Sequence, residues 1–111
     1  MMFPEHFLTV RATVKPEREA EFNTWYNAEH TPDAVKAFKG CIGASRYKVV
    51  EGDGSHAYMA MYAFNTAEEM NAALASEGIK ALIAEYDLKV GAFSTRQRTT
   101  YSKIFTHIPK T

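Results

Sequence analysis

A single cysteine, Cys41, leaves no partner for an intrachain disulfide, so stability must come from a packed core. A lone thiol suits a reducing compartment, and a cytoplasmic location is the expectation. Cys41 follows Gly40 at a probable strand start with no neighbouring His, which favours a small buried side chain over a nucleophile. An excess of either charge is also lacking: 13 basic and 13 acidic residues cancel, so no overall field draws the chain to nucleic acid or to an anionic membrane. Arg96, Arg98 and Lys103 are the nearest approach to a basic cluster and are too few for a phosphate track. No apolar run approaches the ~20 residues needed to span a bilayer. The stretch from Met1 to His6 has neither the basic nor the apolar region of a signal peptide. His6, His30, His56 and His107 lack any spacing that would pair two metal ligands, and there is no glycine-rich phosphate loop or G-x-S-x-G elbow. Neither a metal nor a nucleotide cofactor is expected.

The 111 residues contain no repeat, linker or low-complexity tract, which reads as one domain over residues 1–111. From Phe7 to Val14, Leu8, Val10, Ala12 and Val14 alternate with Thr9, Arg11 and Thr13, the pattern of a strand. Pro16 opens a helix, with Glu17 and Glu19 at its positive end. Phe22, Trp25, Tyr26 and Glu29 share one face of it at helical spacing. Pro32 predicts a break, with Thr31 capping a second helical piece that runs from Pro32 to about Phe38 and ends at Gly40. His30 then lies at the joint. Cys41 to Glu51 and His56 to Asn65 predict two strands around the Gly52-Asp53-Gly54 turn. Thr66-Ala67-Glu68-Glu69 is a capping box for a helix from Ala67 to about Ser76. Gly78 is expected to break this helix before the stripe Ile79, Leu82, Ile83 and Tyr86, and a last strand falls within Ala92 to Phe105.

The order β, α, β, β, α, β predicts an α+β, ferredoxin-like fold: a four-stranded antiparallel sheet with its helices on one face. The third strand is apolar on both sides, so the uncovered sheet face calls for a partner, and a homodimer is the expectation.

The segment Trp25-Tyr26-Asn27-Ala28-Glu29-His30-Thr31-Pro32-Asp33 resembles the first-helix motif of EthD-like proteins: an aromatic helix, an acidic-His step and a Pro-containing turn. Phe38-Lys39-Gly40-Cys41 is similar to the family's junction into strand two, with Lys39 where a Pro is frequent. The resemblance implies a dimeric α+β barrel, in which each subunit holds a cavity between sheet and helices and the two sheets pack on each other. Relatives implied in this way include cofactor-free isomerases, polyketide cyclases and monooxygenases.

His30 is the leading candidate for chemistry. An imidazole with an ordinary pKa near ~6.5 suits proton transfer at neutral pH; capping a helix end is its structural alternative. At a helix joint its removal should cost little core volume. Trp25, Tyr26, Tyr58 and Tyr62 are candidates to hold an aromatic or hydrophobic small molecule, against the plainer reading of core and interface packing. Arg46 and Tyr47 point to opposite sheet faces, and Arg11, Arg96 and Arg98 are groups that could bind a carboxylate. Two function classes follow. One is a cofactor-independent enzyme of isomerase, cyclase or monooxygenase type, with His30 as acid/base. The other is a non-catalytic dimeric module that binds a small molecule or supports a pathway enzyme.

Overall fold

Alternation of Leu8, Val10, Ala12 and Val14 turns one face of the first strand toward the core. In the computed structural model, which describes residues 3–110, that strand is β1 (His6–Val14), with Leu8, Ala12 and Val14 buried. The others are β2 (Cys41–Lys48), β3 (Tyr58–Phe64) and β4 (Ser94–Ser102). They lie in the order β2-β3-β1-β4 with every neighbouring pair antiparallel. This is the α+β, ferredoxin-like architecture that the element order implied. Among the described residues no helix is long and apolar enough to cross a membrane.

Register decides which side chains share a face, because directly opposed residues point the same way. Tyr62 lies opposite Leu8 and Tyr58 opposite Ala12; Arg98 lies opposite Val10 and Arg96 opposite Ala12; Arg46 lies opposite Ala60. These stand on the side that carries the core. Phe7, Thr9, Tyr47, Met59, Met61 and Tyr101 share the other side, where Tyr47 and Tyr101 stay 49% and 44% exposed. Strands β2 and β3 are shorter than the sequence suggested, because the residues between them form a loop rather than a tight hairpin. Gly52 takes a left-handed φ of 106° there, and the Asp53 carboxylate accepts from Ser55 N–H at 2.9 Å. His56 therefore lies outside the strand.

The main correction concerns the first helical region. A 3₁₀ turn at Pro16–Arg18 is followed by α1 (Glu19–Trp25), a π-helical turn at Tyr26–His30, and α2 (Thr31–Ala37). No break occurs at Thr31. His30 and Thr31 both have helical dihedrals, φ/ψ −65°/−47° and −63°/−48°, and Thr31 does not cap with its side chain, its Oγ1 being buried without a partner. Instead, Thr31 N–H donates to the Tyr26 carbonyl five residues back. In a regular α-helix the Pro32 ring would collide with the carbonyl of Ala28, and its missing N–H would leave that carbonyl unpaired. A widened turn relieves the collision without ending the helix.

The widening inserts one residue into the helical repeat. Buried positions run Phe22, Trp25, Tyr26, then His30, Ala34 and Phe38. Regular spacing would have turned Glu29 inward; Glu29 is exposed.

Thr66 caps α3 (Ala67–Leu74), its Oγ1 accepting from Glu69 N–H at 3.1 Å. Gly78 does not break the next helix: it lies inside α4 (Glu77–Lys89), which Ser76 caps by accepting from Ile79 N–H at 3.3 Å. The absent side chain lets α4 approach α2, since a Cβ at Gly78 would stand 3.3 Å from the Ala37 Cβ.

At the exit of α4 the backbone leaves no room at all, because a Cβ on Gly91 would meet the Asp87 carbonyl oxygen at 2.6 Å. Gly91→Ala is expected to destabilise the fold by about 1–3 kcal/mol. Gly54→Ala, where nothing lies within 4 Å, should change stability by less than about 0.5 kcal/mol. Urea denaturation of the two variants checks this, and equal midpoints would show that the α4 exit tolerates a side chain.

Candidate functional site

The inner sheet face and the helical stripes do not fill the space between them. They border a half-open cavity of about 210 Å³. Leu8, Val10, Tyr62, Arg96 and Arg98 come from the sheet, and Tyr26, His30, Ala34 and Phe38 from the first helical region. Ile79, Leu82, Ile83 and Tyr86 of α4 complete its wall. The walls are mainly apolar, with polar groups supplied by an imidazole, three phenols and two guanidiniums.

His30 reaches this wall because the π turn rotates it inward. The residue is only 7% exposed. It stacks on Trp25 with centroids 4.6 Å apart and planes 25° from parallel, and meets the rings of Tyr26 at 4.9 Å and Tyr86 at 6.0 Å edge-on. Its Nδ1 is buried with no hydrogen-bond partner. Burial, followed by the charge of Arg96, pushes its pKa down to about 4; Arg46 acts in the same direction and Asp33 opposes it. The ring is therefore neutral at neutral pH, with one nitrogen a donor and the other an acceptor. The sequence-based expectation of an ordinary imidazole does not hold. Nor does the expectation of little lost volume, since the ring is packed among three others.

Burial pushes the Tyr26, Tyr62 and Tyr86 hydroxyls above their ordinary range, so all three stay protonated. Tyr26 and Tyr62 lie side by side and bear on each other's titration. The Tyr86 hydroxyl and Ser94 Oγ are 2.7 Å apart. Ser94 spends its one proton on the Val90 carbonyl at 2.8 Å, so Tyr86 is the donor of that pair.

Arg46 lies over the outer side of this ring cluster. Its Nη1 donates to Asn27 Oδ1 at 2.8 Å and its Nη2 to Asn23 Oδ1 at 2.9 Å, and its guanidinium stands 4.4 Å from the centre of the Tyr26 ring. Two amides and a π face hold it, with no carboxylate among these partners.

Of the residues singled out from sequence, His30, Tyr26 and Tyr62 line the cavity. Trp25 does not; it backs the imidazole. Tyr58 packs beside Phe22 at 6.1 Å, away from the cavity. Tyr86 and Ala34 were not among the candidates, although the stripe of Ile79, Leu82, Ile83 and Tyr86 placed a phenol on the inner side of α4. The thiol of Cys41 is half-buried, and burial raises its pKa, which suits packing rather than nucleophilic attack.

No family model matches the sequence, and no curated protein does. Solved structures do. SnoaB from Streptomyces nogalater, described as a cofactor-independent oxygenase, superposes with a TM-score of 0.66 at 18% identity, over 94% of this chain and 97% of its own. An ethyl tert-butyl ether D (EthD) family protein from Bacillus halodurans gives 0.62 at 16% identity, over 85% and 96%. HapK from Hahella chejuensis gives 0.67 at 4% identity, over 96% and 99%. The chain shares the α+β, ferredoxin-like fold of these proteins. At these identities the likeness speaks to fold alone, so the chemistry must be argued from the residues.

One consequence of the buried imidazole is measurable without a substrate. Its folded pKa of about 4 lies below the ordinary 6.5, so between these values the unfolded chain binds a proton that the folded chain does not. Stability from this source is whole above pH ~6.5, declines as the pH falls, and is exhausted below ~4. The total is about 2–3 kcal/mol after allowance for solvent screening. His30→Phe, which keeps a ring on Trp25, should lose that part of the pH dependence. Parallel stability profiles for the two proteins from pH 7 to 4 would show that His30 titrates normally.

Proposed function

We propose that the chain is a cofactor-independent enzyme acting on a small aromatic or hydrophobic compound bound in this cavity, with His30 as the base. The observation that carries the reading is the imidazole itself: neutral, mostly buried, and set in the wall of a cavity. Tyr26 and Tyr62 bring protonated hydroxyls to the same space, suited to orienting a carbonyl or phenol oxygen. Trp25 acts behind them, backing the imidazole that would meet the ligand, and Tyr58 packs further back against Phe22.

A base of pKa about 4 is weak. Each unit separating it from the acid it deprotonates costs about 1.4 kcal/mol, so a carbon acid or phenol of pKa about 9 lies uphill by about 7 kcal/mol. That is affordable within an enzymatic barrier when the anion is stabilised as it forms. Arg96, in the cavity wall, and the tyrosine hydroxyls are placed for that role. The enolate or phenolate is a shared starting point. Reprotonation elsewhere gives isomerisation, attack on an internal carbonyl gives cyclisation, and electron transfer to dioxygen gives oxygenation. The shared fold with a cofactor-independent oxygenase supports including the last.

A second reading has its own observation. At about 210 Å³ the cavity falls below the roughly 300 Å³ at which ligand sites usually begin. That favours a non-catalytic module that binds a small compound or supports a pathway enzyme. Deuterium exchange separates the two readings. In D₂O the protein should accelerate α-proton exchange of 2-tetralone, and His30→Phe should lower that acceleration by about 10²–10⁴-fold. Binding of the ketone without accelerated exchange would establish the second reading.

Both readings place the protein as a homodimer joined through the side of the sheet opposite the helices. Phe7, Tyr47, Met59, Met61 and Tyr101 offer an apolar surface there. Sedimentation should give about 25 kDa, twice the 12.5 kDa chain, and Met61→Glu should give the monomer. A stable wild-type monomer at micromolar concentration would refute the assembly.

A further inference from the structure

Among the described residues, Arg96 and Arg98 are the charged side chains of the cavity wall, and no carboxylate lines it. Two residues apart on β4, they project to the same face. Arg96 is held in place: its guanidinium lies 3.9 Å from the Tyr86 ring centre, and its Nη1 donates to Asp87 Oδ1 at 3.2 Å. Arg98 has no ion-pair partner among the described residues. The pair therefore carries two positive charges against one carboxylate, beside a cavity of otherwise neutral groups. Arg96 is half-buried against the apolar wall, which screens its charge less than water does, while Arg98 is exposed and free to turn toward an anion at the cavity.

We propose that Arg96 and Arg98 bind the carboxylate of a small aromatic or apolar organic acid whose ring body occupies the cavity beside His30 and Tyr62. The inference rests on reading the cavity as a ligand site, and it names the ligand's class. Arg98 offers an unengaged guanidinium fork, the donor geometry that matches a carboxylate in bidentate fashion. Arg96, already fixed by Tyr86 and Asp87, supplies a second positive charge without further ordering. The Arg96 charge is one cause of the depressed His30 pKa, and an anion seated beside Arg96 would offset it.

A matched pair of probes tests the class. 2-Naphthoate and 2-naphthamide share an aromatic body and differ in charge, and calorimetric titration of the wild-type protein should show the acid binding at least about tenfold tighter. Arg98→Gln should bring the two within about threefold, chiefly by weakening the acid. Rising salt should reduce naphthoate affinity and leave naphthamide affinity nearly unchanged. Ile83→Trp, which places an indole at the cavity wall, should abolish binding of both probes. Equal affinities in the wild type, or a preference for the acid that Arg98→Gln leaves intact, would overturn the arginine assignment while leaving the cavity a ligand site. Naphthoate binding undiminished by Ile83→Trp would place the anion elsewhere and overturn it too. If neither probe binds the folded wild-type protein at millimolar concentration, the cavity reading falls together with this one.

Discussion

The collision between the Pro32 ring and the helix that precedes it governs the arrangement of the site. A proline in mid-helix costs ~3 kcal/mol when the helix keeps its regular form. This chain keeps the helix and changes its form. The hydrogen bond from Thr31 N–H to the Tyr26 carbonyl closes a π turn, and the extra residue in that turn rotates everything after it by about 100° relative to regular α spacing. Glu29, which regular spacing would bury, goes to solvent, and His30 takes its place. Ala34 and Phe38 follow in the same phase and reach the cavity. Without the turn, a carboxylate would have to be buried among aromatic rings, at a cost of several kcal/mol.

Once the imidazole is turned inward, its neighbours determine its chemistry. Trp25 covers one face of the ring, while Tyr26 and Tyr86 meet it edge-on, so water reaches little of it. Desolvation penalises the charged form, and the cations at Arg96 and Arg46 add to that penalty. The aromatic residues of α1 therefore have two roles. Phe22 and Trp25 are core, as their spacing indicated, and Trp25 also stacks on the imidazole and fixes its orientation. Trp25 and Tyr58 share the core with the lining rings and do not themselves line the cavity. Composition and periodicity do not separate a ring that faces a cavity from one that stands behind it.

How far the sequence could be read follows from the same physics. Strand alternation in Leu8 to Val14, the capping threonine before α3 and the order of elements are local signals, and they led to the ferredoxin-like topology. The first helical region defeated local reading because Pro32 has two compatible outcomes, a break or a π turn, and the tertiary packing of His30, Ala34 and Phe38 selects between them. Gly78 misled for a similar reason. Its local preference is to end a helix, whereas here it admits the close approach of Ala37. Arg96 and Arg98 were legible as a same-face pair, but their place in the cavity depends on the pairing of β4 with β1, a contact between residues about ninety positions apart in the chain.

The weak base and the positive wall look opposed, since the cations that would stabilise a substrate anion also suppress the imidazolium. They are consistent once proton transfer is treated as a difference. A guanidinium lowers the pKa of imidazole and substrate alike, so it favours transfer to the extent that it lies nearer the substrate's developing charge than the ring. Burial acts the other way on the two groups, raising the substrate's pKa while lowering the imidazole's. Transfer between two neutral groups, however, creates an ion pair, and attraction within that pair grows as the surroundings exclude water. A site built on these terms favours a proton that moves a short distance and returns. It disfavours one that escapes to solvent, because a lone imidazolium beside Trp25 and Tyr86 would keep the full desolvation penalty with no anion to offset it.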